Sequence, residues 1–398
     1  MSGPLAGTRV LDFSRVLAGP LCGETLLELG AEVIKLEPPT GDLSRQAVPH
    51  AGGISGYYAQ QNAGKRNVSL DLNVPGALEV VLRLCDRADV ILESFRPGTL
   101  AAFGLGYDSV AQRNPRVVYA SITGYGQHGS WRSRSAYAPT VQAEAGLTAT
   151  TAAQFGRLRT DSLSHADVYS GLHAVIAILA ALRHRDRTGE GQYVDVAMAA
   201  VMLAVNERMH VDLADEDLGA EPPILGATDA AFFTSPDGET FVSAMSLVAS
   251  LTFRFYLAAM RRPDLADDPR FATPQAREQN LNALHAIVQE WIWTFDDMAS
   301  LDAQFDEAKI ATGRIRTAAG LAGSEWGQQW VATRTVPDRN GGQITVPGRP
   351  WHFSDDDGEP ERWPARRGEH NAEVLAELGY DADEIDSLRR RGVLVCDR

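Results

Sequence analysis

Arg9-Val-Leu-Asp-Phe-Ser-Arg-Val-Leu-Ala-Gly-Pro-Leu-Cys-Gly-Glu-Thr-Leu-Leu-Glu-Leu-Gly-Ala-Glu-Val-Ile-Lys-Leu36 decides the fold. Its first apolar run, Arg9–Phe13, reads as a strand. Pro20–Leu29 has helical spacing and stops at Gly30, where a helix can end on a left-handed residue. Glu32–Leu36 is a second strand, closed by Pro38-Pro39. A strand, a helix and a strand in succession form a βαβ unit, whose crossover is right-handed. Outward from it the alternation continues. Val68–Leu72 is a strand; Pro75 opens a helix over Ala77–Arg87 with apolar residues at 78, 81, 82 and 85; Val90–Leu92 and Val117–Ile122 are further strands. The fold class is therefore α/β with a parallel sheet. The clearest helix is Asp167–His184, apolar at 168, 172, 175, 176, 179 and 182, so nearly apolar all round that it is expected to be buried. After the turn Arg187-Thr-Gly-Glu-Gly191, Tyr193–Val205 reads as a strand passing into a helix.

The texture changes near residue 212. The expected organisation is a large domain over 1–211, a linker over 212–228, a small α+β domain over 229–330, a second linker over 331–366, and C-terminal helices over 367–398 that return to the large domain. In the small domain a hairpin is expected around Pro236-Asp-Gly238, with helices near 249–261, 274–295 and 297–307.

Composition narrows the function classes. The chain has 398 residues, 44% apolar and 22% charged, which suits a globular protein with a sizeable core. A net charge of −15 argues against nucleic acid or an anionic membrane surface as a partner, so an anionic ligand needs a local basic pocket. The longest uncharged, mostly apolar stretch, about 171–182, is short for a membrane span. The start of the chain has no basic segment followed by an apolar run, and the three cysteines are widely spaced without CxxC. Together these suggest a cytoplasmic protein without a disulfide framework. Nine scattered histidines, with no HExxH, suggest no metal site. No GxSxG occurs, which leaves a serine hydrolase without its nucleophile turn.

Three features could carry chemistry. Ser14–Pro20 joins a strand to a helix, where helix N–H groups can hold a phosphate or carboxylate, or form an ordinary turn. Gly124-Tyr-Gly-Gln-His-Gly129 likewise follows a strand and reads either as a turn or as a close backbone approach to a ligand. Asp167 stands at the start of the long apolar helix. It fits an N-cap, since aspartate accepts an orphan helix N–H there. It also fits a reactive carboxylate, kept ionised by the positive helix end and kept partly dry by apolar walls.

Eight blocks carry a resemblance. They are Leu5-Ala-Gly-Thr-Arg-Val-Leu-Asp-Phe13, Gly30-Ala-Glu-Val-Ile-Lys-Leu-Glu37, Lys65-Arg-Asn-Val-Ser-Leu-Asp71, Glu93-Ser-Phe-Arg-Pro-Gly-Thr-Leu100, Gly124-Tyr-Gly-Gln127, Ala166-Asp-Val-Tyr-Ser-Gly-Leu172, Arg187-Thr-Gly-Glu-Gly-Gln-Tyr-Val-Asp-Val196 and Gly368-Glu-His-Asn-Ala-Glu-Val-Leu-Ala-Glu-Leu-Gly-Tyr380. In order along almost the whole chain, they resemble the class III CoA-transferases, a family that also includes α-methylacyl-CoA racemase. The resemblance implies a Rossmann-like large domain built from both chain ends, and an interlocked homodimer. It implies coenzyme A as the cosubstrate, no metal, and an acyl-CoA and a carboxylic acid as partners. Asp167 falls on the family's catalytic aspartate, which forms aspartyl-anhydride and aspartyl-CoA intermediates.

By position, coenzyme A is expected at Val16-Leu17-Ala18, at Leu70 to Asn73, and at Ser94-Phe95-Arg96, with Phe95 toward the adenine and Arg96 toward a phosphate. Tyr137 and Met198 match pocket positions, and Arg15, Arg45, Lys65 and Arg66 are candidates for the phosphates. Leu17 stands where formyl-CoA transferase has a glutamine, Pro38 where it has an arginine, and Ala138 where a carboxylate often follows. Met245-Ser-Leu-Val-Ala-Ser250 stands in place of its glycine-rich loop. Formyl and oxalyl groups are therefore not the expected cargo, and a less polar acyl group is. The alternatives are a racemase, which needs two acid/base groups and usually places a histidine where Tyr137 stands, and a non-catalytic CoA-binding protein.

Overall fold

Strands β1 (Arg9–Asp12), β2 (Glu32–Glu37), β3 (Arg66–Ser69), β4 (Val90–Glu93), β5 (Val118–Thr123) and β6 (Gln192–Ala197) run parallel in one sheet, ordered β3-β2-β1-β4-β5-β6. The computed structural model describes residues 3–207, 209–214, 230–355 and 362–397. One unit comprises 1–207 with 327–398 and holds this sheet; the other comprises 208–326.

Both faces of the sheet are covered. Along β1, Val10 points to one face and Leu11 to the other, and both are buried. This is why the strands read as continuous apolar runs rather than alternating ones. On the Val10 face pack α1 (Ala18–Glu28), α5 (Ala138–Glu144), α7 (His165–Thr188) and α8 (Met198–Ala204). On the Leu11 face pack α3 (Ala77–Asp86), α4 (Tyr107–Arg113) and the C-terminal helices Asn371–Glu377 and Ala382–Arg390. Val10, Val90, Val118 and Ile178 are fully enclosed, each worth roughly 1.5–3 kcal/mol relative to exposure. The chain end is tied to the sheet edge, where Val395 donates its N–H to Ser69 O at 3.0 Å. Helices α2 (Gly56–Asn62) and α6 (Leu147–Phe155) complete the helices before the second unit.

The expectations for the long helix need correction. The long helix starts at His165, with Ser164 at its N-cap, so Asp167 lies inside the first turn and is not the cap. The helix runs on to Thr188, where Arg185 pairs with Asp89 at 2.7 Å and Gly189 closes it at φ 82°. It is also not buried all round: Leu172 and Ile176 are exposed, while Ala174, Val175 and Ile178 are buried. By length and composition this 24-residue helix could cross a membrane; in this fold it packs on α1, α5, α8 and the sheet.

The stretch read as a linker at 331–366 contains a hairpin, Thr333–Pro337 paired antiparallel with Gln343–Pro347. Only Val336, Ile344 and Val346 face inward, against Ala59 and Ala63, so its composition looked like that of a loop. Of the expected linker at 212–228, residues 215–228 lie outside the described residues, and 212–214 end the helix Met209–Ala214.

In the second unit a three-stranded antiparallel sheet has Thr240–Ser246 between Ala230–Thr234 and Thr312–Arg314. The turn at Pro236-Asp-Gly238 connects the first two strands, with Gly238 at φ 85°. The helix expected over 274–295 is two helices, Pro274–Gln279 and Leu281–Ile292, broken at Asn280. Phe233, Phe241, Tyr256, Phe271 and Phe305 fill this unit's own core.

Candidate active site

In a doubly wound sheet the crevice opens at the carboxyl ends of the strands, where the connections reverse direction. Here that point lies between β1 and β4. The loops leaving β1, β4 and β5 there border a cavity of ≈ 450 Å³. From β1 come Arg15, Val16, Leu17 and Ala18; from β4 come Ser94, Phe95, Arg96 and Pro97; from β5 comes Gly124. Tyr57, Tyr137, Ala138, Asp167 and Met198 close it.

The β1–α1 turn is built on buried charges. Lys65 Nζ lies 2.9 Å from Asp12 Oδ2 and donates to Pro20 O at 2.8 Å. Asp12 also accepts the Ser14 N–H at 2.9 Å and the Ser14 hydroxyl. Above this wedge, Val16 adopts φ 71°, a left-handed conformation that a β-branched residue rarely takes. Helix α7 then comes unusually close. A methyl group at Gly171 would lie 2.6 Å from Ala18 O, so only glycine lets α7 seat against the start of α1. Gln142 of α5 accepts the Ala166 N–H at 3.3 Å and fixes the first turn of α7 from the other side. Asp167, on that turn, is thereby held at the cavity wall.

The Asp167 carboxylate is half-buried and takes no hydrogen bond or ion pair from the described residues. Burial alone pushes its pKa up to about 6. Its position in the first turn of a helix favours the ionised form, so it is a carboxylate at neutral pH that is poorly solvated and unpaired. Tyr57 is its neighbour: burial raises the phenol pKa first, and the Asp167 charge raises it further. On another part of the wall stand Arg15, Arg96, Arg132 and Arg134. Arg15 lies over the Phe95 ring at 4.9 Å, Arg96 donates to Ser135 Oγ at 2.7 Å, and Arg134 pairs with Glu144 at 2.5 Å. In a chain of net charge −15 this is a local basic wall. Glu93, just below Phe95, accepts the Phe95 N–H at 2.7 Å; burial raises its pKa to about 7.

The cavity brings together Val16, Leu17, Ala18, Ser94, Phe95, Arg96, Tyr137, Asp167 and Met198 from five separate stretches of sequence. Arg45, Leu70 and Asn73 are not among its lining residues, and each has a physical reason. Arg45 makes two 2.8 Å hydrogen bonds to Glu37 and one of 2.6 Å to the Tyr58 hydroxyl, so its donors are spent inside the fold. Leu70 is core, bridged to Leu394. Asn73 turns back on Asp71 at 2.9 Å. Lys65 and Arg66, also considered for phosphates, are committed to Asp12 and to Glu32, Glu373 and Glu377.

The sequence reading missed Tyr57, Arg132 and Arg134. Tyr57 and Tyr58 are adjacent on α2, and one turns to the cavity while the other is 1% exposed in the core. Nothing in a doublet says which is which. Arg132 and Arg134 follow the glycine-rich stretch at 124–129, which was the available signal. His165 lies 3.1 Å from Asp161 and stacks on Tyr169, and among the described residues no histidine lines the cavity. Among the described residues no cluster could hold a metal ion.

A family model described as CoA-transferase family III matches residues 5–371. A formyl-CoA:oxalate CoA-transferase of Streptomyces avermitilis is 33% identical, over 99% of this chain and 100% of its own length. A Mycobacterium tuberculosis protein named "Probable fatty acyl-CoA transferase Rv3272" is 39% identical over 72% of this chain and 76% of its own. The crystal structure of a CAIB/BAIF family protein from Brucella suis is 31% identical, with TM-score 0.79, covering 95% of this chain and all of that one. The chain belongs to the family III CoA-transferases and is an enzyme of that class.

Proposed function

We propose that this enzyme moves coenzyme A from an acyl-CoA to a carboxylic acid through a covalent intermediate on Asp167. The single observation that carries this reading is a half-buried carboxylate without partners among the described residues, standing at the wall of a cavity with four arginines. A carboxylate oxygen of Asp167 attacks the thioester carbonyl carbon, the C–S bond breaks, and CoA leaves as thiolate with an aspartyl–acyl anhydride left behind. The thiolate attacks the aspartyl carbonyl of the anhydride and releases the donor acid as carboxylate, leaving an aspartyl-CoA thioester. The acceptor carboxylate attacks this thioester to regenerate the thiolate and form a second anhydride. The thiolate then attacks the acceptor's carbonyl, giving the new acyl-CoA and free Asp167. Every step exchanges one acyl leaving group for another, so the activation of the thioester is conserved. Water must be kept out, because it would hydrolyse the anhydride.

The arginine wall supports a role in holding the CoA phosphates, with Arg15, Arg96 and Arg132 in place of Arg45, Lys65 and Arg66, while Arg134 on the same wall is paired with Glu144. Leu17, Leu43, Ala138 and Met198 line the same cavity, and burial is what raises the Asp167 pKa. Both facts favour an apolar acyl group over a second carboxylate beside Asp167, in keeping with the printed name of the mycobacterial relative. Among the described residues that line the cavity the position of the racemases' histidine is taken by Tyr137, a poor proton acceptor at neutral pH, which favours the transferase reading. A homodimer is part of the same reading; the exposed Leu172 and Ile176, one turn apart on α7, support it.

Incubation with an acyl-CoA followed by hydroxylamine or borohydride tests the chemistry. Modification of Asp167, read by peptide mass, is the expected result. An unmodified Asp167 across a panel of donors that the enzyme turns over would remove the covalent route. Deuterium exchange at the α-carbon of a 2-methylacyl-CoA at turnover rates would replace it with the isomerase.

A further inference from the structure

Val16 is the one cavity-lining residue other than glycine with a left-handed backbone among those described. A β-branched side chain disfavours that conformation, and such backbone persists only where its surroundings hold it. The holding groups are visible. Asp42 accepts the Val16 N–H through both oxygens, at 3.1 and 3.3 Å. Lys35 Nζ lies 3.0 Å from Asp42 Oδ2 and donates to Ser14 O at 2.8 Å. The side chains of Lys35 and Asp42 are both fully enclosed. One buried ion pair thus grips the turn on both sides of Arg15, at the carbonyl of Ser14 and the N–H of Val16.

Asp42 is itself fixed. It accepts the Ser44 N–H at 2.9 Å and the Ser44 hydroxyl at 2.8 Å, and donates its own N–H to Glu37 at 3.1 Å. Burial opposes its charge, but the Lys35 ammonium and the Ser44 N–H outweigh it and hold its pKa down to about 2. The residue after it, Leu43, lines the cavity as Val16 does. Beyond the strained residue, α1 begins with the N–H groups of Leu17, Ala18 and Gly19, which no hydrogen bond among the described residues uses. Gly171 packs on Ala18 O one turn along α7 from Asp167, and Leu17, Ala18 and Asp167 line the same cavity.

We infer that Asp42, paired with Lys35, is a positioning residue: it holds Val16 in its left-handed conformation so that the first N–H groups of α1 face the thioester oxygen that Asp167 attack turns into an oxyanion. This rests on the Asp167 reading given above. Asp42 touches no reacting atom. Its effect passes through the backbone of Val16 to donors whose placement matters most when charge develops on that oxygen.

The test compares wild type, D42N, V16G and D42N/V16G in the full chain. It measures the rate of Asp167 acylation by trapping, kcat for CoA transfer, CoA affinity and the melting temperature. D42N is expected to lower acylation by about 10²-fold, the cost of misplacing a reacting geometry by about an ångström, with CoA affinity changed far less. Glycine takes the left-handed conformation without help. In the V16G background the same D42N change is therefore expected to cost no more than a few-fold, a coupling that a double-mutant cycle measures. If D42N does not fold, Lys35→Met with Asp42→Leu removes both buried charges together; the same loss and the same relief by V16G are expected. Acylation at the wild-type rate in a folded D42N or paired variant overturns the inference. So does an equal loss with and without V16G, which would place the Asp42 effect elsewhere. The Asp167 reading is judged separately, on the wild type. Should the wild type turn over without label, that reading fails and the Asp42 comparison is read on kcat.

Discussion

Asp12 and Asp167 are both carboxylates taken out of water near the β1–α1 turn, and the fold treats them oppositely. Asp12 is fully buried and fully engaged, with Lys65 at 2.9 Å and two donors from Ser14. Burial opposes its charge, but the Lys65 and Lys35 ammoniums prevail and its pKa is lowered. Asp167 is half-buried, has no partner among the described residues, and its pKa rises to about 6. A carboxylate meant to hold structure has its lone pairs occupied by donors. A carboxylate meant to react keeps a lone pair free and accepts the cost of poor solvation. Side by side, the two separate structure from chemistry more clearly than burial does.

The contrast can be broken by mutation. Removal of the Asp167 carboxylate, as Asp167→Ala, is expected to lower kcat by about 10³-fold or more while the melting temperature stays near wild type, since no partner is stranded. Initial rates and a thermal melt on one sample check both halves; an active Asp167→Ala enzyme would end the covalent reading. Lys65→Met does the reverse. It strands Asp12 and is expected to cost roughly 3–5 kcal/mol in denaturant unfolding, because half of a buried pair is removed. Gly171→Ala sits between the two. Its methyl group meets Ala18 O at 2.6 Å, so a stability loss of roughly 1–3 kcal/mol is expected, together with a slower acylation step as α7 shifts.

Smaller effects sharpen the comparison. Arg96→Ala is expected to raise KM for acyl-CoA about tenfold, the size of one hydrogen bond to a charged group, with kcat nearly kept. Arg45→Ala is expected to lower the denaturation midpoint and leave KM unchanged, because Arg45 is engaged with Glu37 and Tyr58. The pH profile of the chemical step should show one acidic limb. Asp167 with a raised pKa is ionised and reactive above about 6; below it the proton occupies the attacking oxygen, and the rate falls about tenfold per pH unit. A limb near the ordinary carboxylate range would mean that Asp167 is better solvated than the fold indicates.

Much of the sheet was legible because burial on both faces leaves a local signature. The runs at Arg9–Phe13, Glu32–Leu36 and Val90–Leu92 are strands within a residue or two of their expected limits. The hairpin at 333–347 was not legible, since a strand buried on one side by three residues resembles a loop in composition. At the cavity, the helix start alone left Asp167 as either a cap or a reactive carboxylate, and only the family blocks singled it out. The basic residues were not. Arg45, Lys65 and Arg66 look like phosphate ligands in one dimension, and each is spent on a carboxylate that the fold brings from elsewhere.

The sequence by itself determined the α/β alternation, the long helix that carries Asp167 and the family, because hydrophobic period, turn residues and block order are properties of neighbours along the chain. Tertiary structure alone decided which charges are free. Whether an arginine or a carboxylate is available for chemistry depends on which opposite charge lies within about 3 Å of it, and that partner can stand hundreds of residues away, as Glu377 does from Arg66. The same holds for Val16: its strained turn is set by Lys35 and Asp42 folding over it, and no local rule would assign a left-handed backbone to a valine.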